Sequence, residues 1–189
     1  MRKIIVFNLV TVDGYFAGPN GEIDWHRYDA EMGEFSKVQM PTFGALMFGE
    51  TTYKLMESYW PTPEGQQSEP LVAEIMNGIP KIVFSETMAD VKDGPVWKNV
   101  TVLHSIRPEE ILALKQQDGK DIAIFGSGTI VQQFTNLGLI DEYRLVVNPL
   151  LLGKGKPLFN GVEKRLNLKL LSTKTFNNGN VLLCYEPVK

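Results

Sequence analysis

The sequence holds one cysteine and two histidines in 189 residues. A single thiol excludes an internal disulfide, and Cys184, set between Leu183 and Tyr185 in an apolar run, reads as a core thiol. His26 and His104 with that thiol are too few for a histidine- or cysteine-rich metal site, so no metal is expected. Charge of one sign is also lacking: 19 Lys and Arg against 22 Asp and Glu leave a formal charge of −3, with no long run of either sign. Nucleic-acid proteins normally show a clustered basic footprint, and none stands here. No segment is long and apolar enough to span a bilayer. Met1-Arg2-Lys3-Ile4-Ile5-Val6-Phe7 has the basic-then-apolar order of a signal peptide, but the apolar run is short and Asp13-Gly14 falls where a cleavage region belongs. A Gly-x-Ser-x-Gly elbow is missing as well. These absences leave one soluble, cytoplasmic domain with a small-molecule partner, and no nucleic acid or membrane, as the expectation.

What is present is ordinary globular material. Apolar residues make up 43% and charged residues 22%. The chain is long enough to bury a core without staples. Ile4 to Val12 is an apolar, β-branched run and predicts a buried central strand. Asp13 to Trp25, with three glycines and Pro19-Asn20-Gly21, predicts a loop. Asp29 is placed to cap a helix reaching about Met40. Ala45 to Phe48 predicts a short strand closed by Gly49, with a helix from Thr51 or Thr52 through Tyr59 that Pro61-Thr62-Pro63 ends. Pro70 to Asn77 predicts a helix, Lys81 to Phe84 and Asn99 to Leu103 strands, and Pro108 to Gln117 a helix with acidic residues at its positive end. Asp121 to Phe125 predicts a strand, and Ser127 to Leu137 a helix stopped by Gly138. The last third lacks helices: Glu142 to Val147, Leu166 to Thr175 and Val181 to Glu186 read as strands, the last two joined by the hairpin signal Asn177-Asn178-Gly179-Asn180. The expected architecture is a single α/β domain, residues 1–189, with helices on both faces of a mixed, mostly parallel sheet and antiparallel C-terminal strands.

Ligands of open α/β sheets sit beyond the carboxyl ends of the strands. Three strand ends carry small polar residues: Gly49-Glu50-Thr51-Thr52, Ser85-Glu86-Thr87 and Gly126-Ser127-Gly128-Thr129. The third is followed at once by a helix, whose free N–H groups suit an anion. It is neither a P-loop nor the dinucleotide fingerprint, since no Gly-Lys-Ser/Thr follows and Val131 stands at the third glycine position. Two readings of each turn remain open: a phosphate cradle, or a tight turn with a capped helix. Under the first, Gly128→Val adds bulk where the ligand approaches and abolishes binding in a folded domain. Carboxylates are the acid/base candidates. Glu31 shares a helix face with Tyr28, Met32, Phe35 and Val38, so it either points into a cleft or reaches solvent from the stripe margin. Asp13, at the end of the first strand, is either a catalytic acid or a turn carboxylate that binds backbone. Trp25, Tyr53, Trp60 and Trp97 are candidates for lining a flat-ring pocket or for core packing.

Taken in order, these pieces resemble the dihydrofolate reductase-like family, in the branch that includes the reductase domain of the bifunctional riboflavin-biosynthesis deaminase-reductase. The matching segments are Val12-Asp13-Gly14-Tyr15-Phe16-Ala17, Asp24-Trp25, Gly49-Glu50-Thr51-Thr52-Tyr53, Tyr59-Trp60 and Lys81 to Ser85. Further on they are Ile124-Phe125-Gly126-Ser127-Gly128, Leu139 to Tyr143, Pro149, Leu152-Gly153-Lys154-Gly155 and Leu158-Phe159. The resemblance implies a three-layer α/β/α dihydrofolate reductase-like fold and NADPH as hydride donor. It implies that Gly49 and Thr52 bind cofactor phosphates, that Ser85 approaches the adenosine end, and that Gly126, Ser127, Gly128, Thr129 and Ile130 cradle the pyrophosphate. The Asp13–Trp25 loop would cover the nicotinamide. Two positions depart from the family pattern. Glu50 stands where Gly-Arg-x-Thr has its Arg, which admits NADH. The family's first-helix acid past a Trp has no ungapped counterpart, Asp29 and Glu31 standing near that spacing from Trp25.

The expected function is hydride transfer from a nicotinamide cofactor to a flat heteroaromatic substrate such as a pterin or pyrimidine, with Asp13 and Glu31 as the candidate catalytic acids. The alternative is a non-catalytic nucleotide- or ligand-binding protein on the same scaffold. A homodimer is also expected, and a structural homodimer joined through its C-terminal strands is a third reading.

Overall fold

A computed structural model describes residues 1–188. Strand β1 (Ile4–Thr11) forms from an apolar run interrupted only by Asn8 before its closing Thr11, and lies in mid-sheet, bonded to parallel neighbours on both sides. A short strand β2 (Tyr15–Ala17) follows, then helix α1 (Ala30–Gln39), capped by the Asp29 carboxylate, which accepts from Met32 N–H at 3.0 Å. A 3-10 turn at Met40–Thr42 leads into β3 (Phe43–Gly49) and directly into α2 (Glu50–Tyr59). Next come α3 (Pro63–Ser68), α4 (Pro70–Gly78), β4 (Lys81–Phe84), β5 (Val100–Leu103) and α5 (Pro108–Gln116). The chain ends with β6 (Asp121–Phe125), α6 (Gly128–Asn136), β7 (Glu142–Asn148), β8 (Lys156–Pro157), β9 (Leu168–Thr175) and β10 (Val181–Pro187).

The main sheet has eight strands in the order β5-β4-β3-β6-β1-β7-β10-β9. The first six run parallel; β10 is antiparallel to β7, and β9 to β10. Alternation along β1 divides the core between two faces. Ile4, Val6 and Val10 pack with Ile111 of α5 and Ile130, Val131 and Phe134 of α6. Ile5 packs on the other face with Tyr53, Val72 and Met76, and Phe7 and Leu9 lie against Met32 of α1. The result is three layers, helix, sheet, helix. Lys81 is wholly buried: its Nζ donates to the carbonyls of Asn77, Ile79 and Lys98, each at 2.9 Å, and lies 4.3 Å from the Trp97 ring centre. Burial pushes its pKa down to about 8.

Three elements differ from the sequence expectation. The Asp13–Trp25 segment is not all loop, because Tyr15–Ala17 pairs with Lys156–Pro157 in a two-stranded ribbon. Pro61-Thr62-Pro63 ends α2 but also starts α3, with Thr62 capping Gly65 N–H at 3.1 Å and Pro63 in the first turn, where its missing N–H costs nothing. On α1 Met32 and the partly buried Phe35 face the core as expected, but Val38 is exposed, while Gly33 and Gln39 are buried.

Candidate functional site

The C-terminal ends of β1, β3 and β6 meet where α2 and α6 begin. Gly126 and Ser127 both take left-handed backbone, with φ of 58° and 53°. That conformation suits glycine and strains serine, so the surroundings must hold it. They do so by four bonds. Gly126 N–H donates to Asn8 Oδ1 at 2.6 Å, and Ser127 N–H to Thr52 Oγ1 at 3.1 Å. The Ser127 hydroxyl donates to Thr52 Oγ1 at 2.9 Å and accepts from Gly49 N–H at 2.6 Å. Ser127 therefore does not cap its own helix; its side chain pins the start of α6 to the start of α2. The first bond of α6 is Val131 N–H to the Ser127 carbonyl, so the preceding N–H groups face outward at the helix's positive end.

These turns open on a cleft of about 1690 Å³. Gly49, Thr52, Ser85, Gly126, Ser127, Gly128, Thr129 and Ile130 all line it. At one end, by β4 and β5, the lining is polar: Glu50, Ser85, Glu86 and His104. Here the Glu50 carboxylate accepts from Ser85 Oγ and pairs with Lys54 at 2.5 Å, bonds that hold its pKa below the usual carboxylate range. At the other end, Phe7, Leu9, Ile23, Met40, Tyr59 and Trp60 make the lining mostly apolar.

Asp13 and Glu31 lie outside the cleft. Asp13 accepts from Thr11 Oγ1 at 2.6 Å, from Leu152 N–H at 3.1 Å and from Gly153 N–H at 2.8 Å, which lowers its pKa through Thr11 first and ties the segment before β8 to the end of β1. Glu31 accepts from Asn177 N–H at 2.8 Å and faces Lys174 at 3.6 Å, fastening α1 to the β9–β10 hairpin. Of the aromatic candidates, Trp60 lines the cleft, whereas Tyr53 and Trp97 are buried together, joined by a 3.1 Å bond from Trp97 Nε1 to the Tyr53 hydroxyl. Trp25 is not a lining residue; its ring meets His26 edge-on at 4.4 Å. Gly128, which lines the cleft, also meets a constraint inside the protein: a Cβ there would lie 2.7 Å from the Phe16 ring and 3.3 Å from the Pro157 carbonyl oxygen. The bulk would strike the β2–β8 ribbon.

Three lining residues escape a reading by motif. Asn8 is buried, and its Nδ2 has no partner among the described residues. Its signal was an amide inside an otherwise apolar strand. His26 lines the cleft with Nε2 buried and unpartnered, and burial lowers its pKa to about 4. Glu69 starts α4 without capping it and lies against Gly33 of α1. No motif marks either. Among the described residues no group of three His, Cys, Asp or Glu side chains is placed to hold a metal ion, and no helix is long and apolar enough to cross a membrane.

A family model of the RibD C-terminal domain matches residues 2–182. The chain belongs to the RibD C-terminal domain family. It is 36% identical over 185 residues to the uncharacterized protein YyaP of Bacillus subtilis (strain 168), covering 98% of this chain and 95% of that one. Among solved structures, a putative riboflavin biosynthesis protein from Shewanella sp. PV-4 is similar with a TM-score of 0.76 and 25% identity, over 99% of both chains. A dihydrofolate reductase from Enterococcus faecalis, complexed with NADP(H) and RAB-propyl, is similar with a TM-score of 0.65 at 16% identity, over 99% of this chain and 97% of that one. The RibD C-terminal domain thus has here the dihydrofolate reductase-like fold that the ordered motifs implied, with its antiparallel strands at the C-terminal edge.

Proposed function

We propose that this RibD C-terminal domain is a reductase that passes hydride from a nicotinamide dinucleotide to a flat heteroaromatic substrate, such as a pterin or pyrimidine. The observation that carries the reading is the shape of the cleft around two joined helix starts. Its 1690 Å³ exceeds the roughly 300–1,000 Å³ that one ligand of drug size needs, so it has room for two molecules side by side. The α6 start, with outward N–H groups and the hydroxyl of Thr52 beside it, suits a pyrophosphate at the middle. The polar end suits an adenosine ribose. The apolar end suits the nicotinamide and its acceptor, because hydride transfer needs an oriented, dry pair of rings.

A structural neighbour of the same fold, the Enterococcus faecalis dihydrofolate reductase, is complexed with NADP(H), which favours NADPH. Glu50, bonded to Ser85 at the polar end, favours NADH in this chain: a carboxylate accepts from a ribose diol and repels a 2′-phosphate. The chain's residues hold the cofactor and exclude water; the cofactor supplies the hydride. One observation favours the second reading, a non-catalytic binder: both sequence-predicted acids, Asp13 and Glu31, are committed to backbone bonds outside the cleft.

Nicotinamide fluorescence titration with NADH and NADPH, followed by single-turnover oxidation with pterin and pyrimidine acceptors, tests the proposal. Binding with turnover supports the reductase. Binding without turnover on any acceptor supports the binder, and binding of neither dinucleotide overturns both.

A further inference from the structure

The amides of Asn8, Asn77, Asn148 and Asn180 are all buried. Asn77, Asn148 and Asn180 each spend the amide nitrogen on a backbone carbonyl, of Trp60 at 3.0 Å, Val146 at 3.2 Å and Arg27 at 2.8 Å respectively. Asn8 does not. Its Oδ1 accepts from Gly126 N–H at 2.6 Å, and its Nδ2 has no partner among the described residues. The donor fixes the orientation of the amide, because a backbone N–H can meet only the oxygen. Of these amides, only that of Asn8 lines the cleft.

Its place in the sheet sets it apart. β1 pairs with β6 as far as Phe7 opposite Phe125, and with β7 as far as Thr11 opposite Asn148. Asn8 is thus the first residue of β1 past the end of β6, where that strand turns off through Gly126 toward α6. Its chain neighbours Phe7 and Leu9 line the apolar end. The amide therefore stands between the turn that suits an anion and the chamber that suits rings. Amide N–H groups held out of water without an acceptor are costly and rare in folded proteins, and an acceptor carried by a ligand removes the cost. A neutral donor beside apolar side chains does not offset the desolvation of a charged oxygen, so it suits an uncharged carbonyl. His26 Nε2, the other unpartnered atom of the lining, donates or accepts according to its tautomer, whereas Asn8 Nδ2 can only donate.

We infer that Asn8 is a specificity residue of the cleft, donating through Nδ2 to an uncharged carbonyl oxygen on a planar ring ligand. The inference rests on the proposed function in placing such rings at the apolar end. The oxygen comes either from the carboxamide of the dinucleotide or from a ring carbonyl of the acceptor.

Calorimetry on the full chain tests this with two pairs of probes. NADH and ADP-ribose share the pyrophosphate, but only NADH carries the carboxamide. Uracil and unsubstituted pyrimidine, titrated in saturating NADH, share the ring, but only uracil carries carbonyls. Asn8→Leu removes the donor together with the bond to Gly126. Asn8→Asp keeps an oxygen for Gly126 N–H and removes the amide donor. Circular dichroism melts verify that the variants fold, and Asn8→Asp, which retains the internal bond, guards against loss of the turn in Asn8→Leu. In at least one pair, both variants should weaken the carbonyl-bearing probe by about threefold to tenfold relative to its partner, the range for a neutral hydrogen bond. A change confined to the NADH pair assigns the carboxamide, and a change confined to the uracil pair assigns the acceptor. Equal losses within each pair, or no loss in either, would mean that Asn8 serves only to hold Gly126; that result overturns the inference and leaves the reductase reading intact. Failure of wild type to bind NADH, ADP-ribose or either ring overturns both.

Discussion

The hydroxyls of Ser127 and Thr52 lie 2.9 Å apart, although 75 residues separate them in the chain. Thr52 Oγ1 accepts from both the N–H and the hydroxyl of Ser127, which leaves its own proton free to point at a ligand. The contact therefore does two things: it holds a left-handed serine in place and it presents a donor to the cleft. Thr52→Val keeps the shape and removes both. Dinucleotide affinity should fall by about tenfold or more, the range for a lost charge-assisted bond, while Ser127→Ala should fall less because the Ser127 backbone still donates to Thr52. Fluorescence titration of the two variants checks the order; equal affinities across wild type and both variants would remove this contact from the site.

Glycine at 126 and 128 supports the turn from within the protein. Gly126 needs its positive φ, and a Cβ there would stand 2.8 Å from Thr52 Cγ2. Gly128→Val should therefore displace Phe16 and loosen the β2–β8 ribbon, lowering stability by about 1–3 kcal/mol, the usual cost of overpacking. A thermal melt reads this directly. A variant as stable as wild type that has lost only dinucleotide binding would restore the simpler view, that the glycine makes room for ligand.

Much of this architecture is visible in the residues alone. Apolar runs rich in β-branched residues, such as Ile4 to Thr11, mark buried parallel strands, and Asp29, Pro70 and Pro108 mark helix starts by their own local chemistry. The two-residue strand Lys156–Pro157 carries no periodicity, so only its distant partner Tyr15–Ala17 defines it. The site divides along the same line. Gly49, Ser85 and the Gly126–Ile130 turn announce themselves by strand-end position. Asp13 and Glu31 do not show which backbone donors, at Gly153 and Asn177, the fold will bring to them. Glu69 reaches the cleft because α3 inserts between α2 and α4, a helix that the proline pair hid.

His26 makes stability depend on pH. Its folded pKa, near 4, lies below the value of about 6.5 expected of an unfolded chain, with burial as the cause and Asp24 opposing it. Between those values the unfolded chain binds a proton and the folded one does not. Stability is fully present above pH 6.5 and is lost as the pH falls toward 4, by up to about 3 kcal/mol. His26→Phe removes the titration and keeps a ring against Trp25. The drop in Tm from pH 7 to pH 5 should be smaller in the variant; the same drop in both would assign the acid sensitivity elsewhere.

The outer strand β9 is exposed along its whole length, and it carries Leu168, Leu170 and Leu171. A long edge with apolar side chains is a template for pairing. We propose that a second copy pairs here, two-fold related, to extend the sheet. Light scattering should show a dimer, and Leu170→Lys should shift it toward monomer. A monomer at high protein concentration would end the proposal.

Glu50 decides between cofactors if the polar end of the cleft receives the adenosine ribose. Its carboxylate is already held by Ser85 and Lys54, so it is oriented before any ligand arrives. A 2′-hydroxyl can donate to it, whereas a 2′-phosphate meets like charge, offset in part by Lys54. Wild type should therefore bind NADH more tightly than NADPH. Glu50→Arg replaces the carboxylate by a planar fork suited to phosphate and frees Lys54 to join it. The NADH-to-NADPH affinity ratio should then fall by about tenfold, the combined effect of removing one exposed charge contact and adding its opposite. Because this end is near solvent, the shift should shrink between low salt and about 0.5 M salt, where screening acts within a few ångströms. Glu50→Gln separates the two causes: it keeps a partner for Ser85 and removes only the charge, so it should relieve the repulsion of NADPH without adding attraction. Titrating both cofactors against wild type, Glu50→Gln and Glu50→Arg should give three graded ratios. A single ratio for all three would mean that the Glu50–Lys54 pair closes on itself and takes no part in choosing the cofactor.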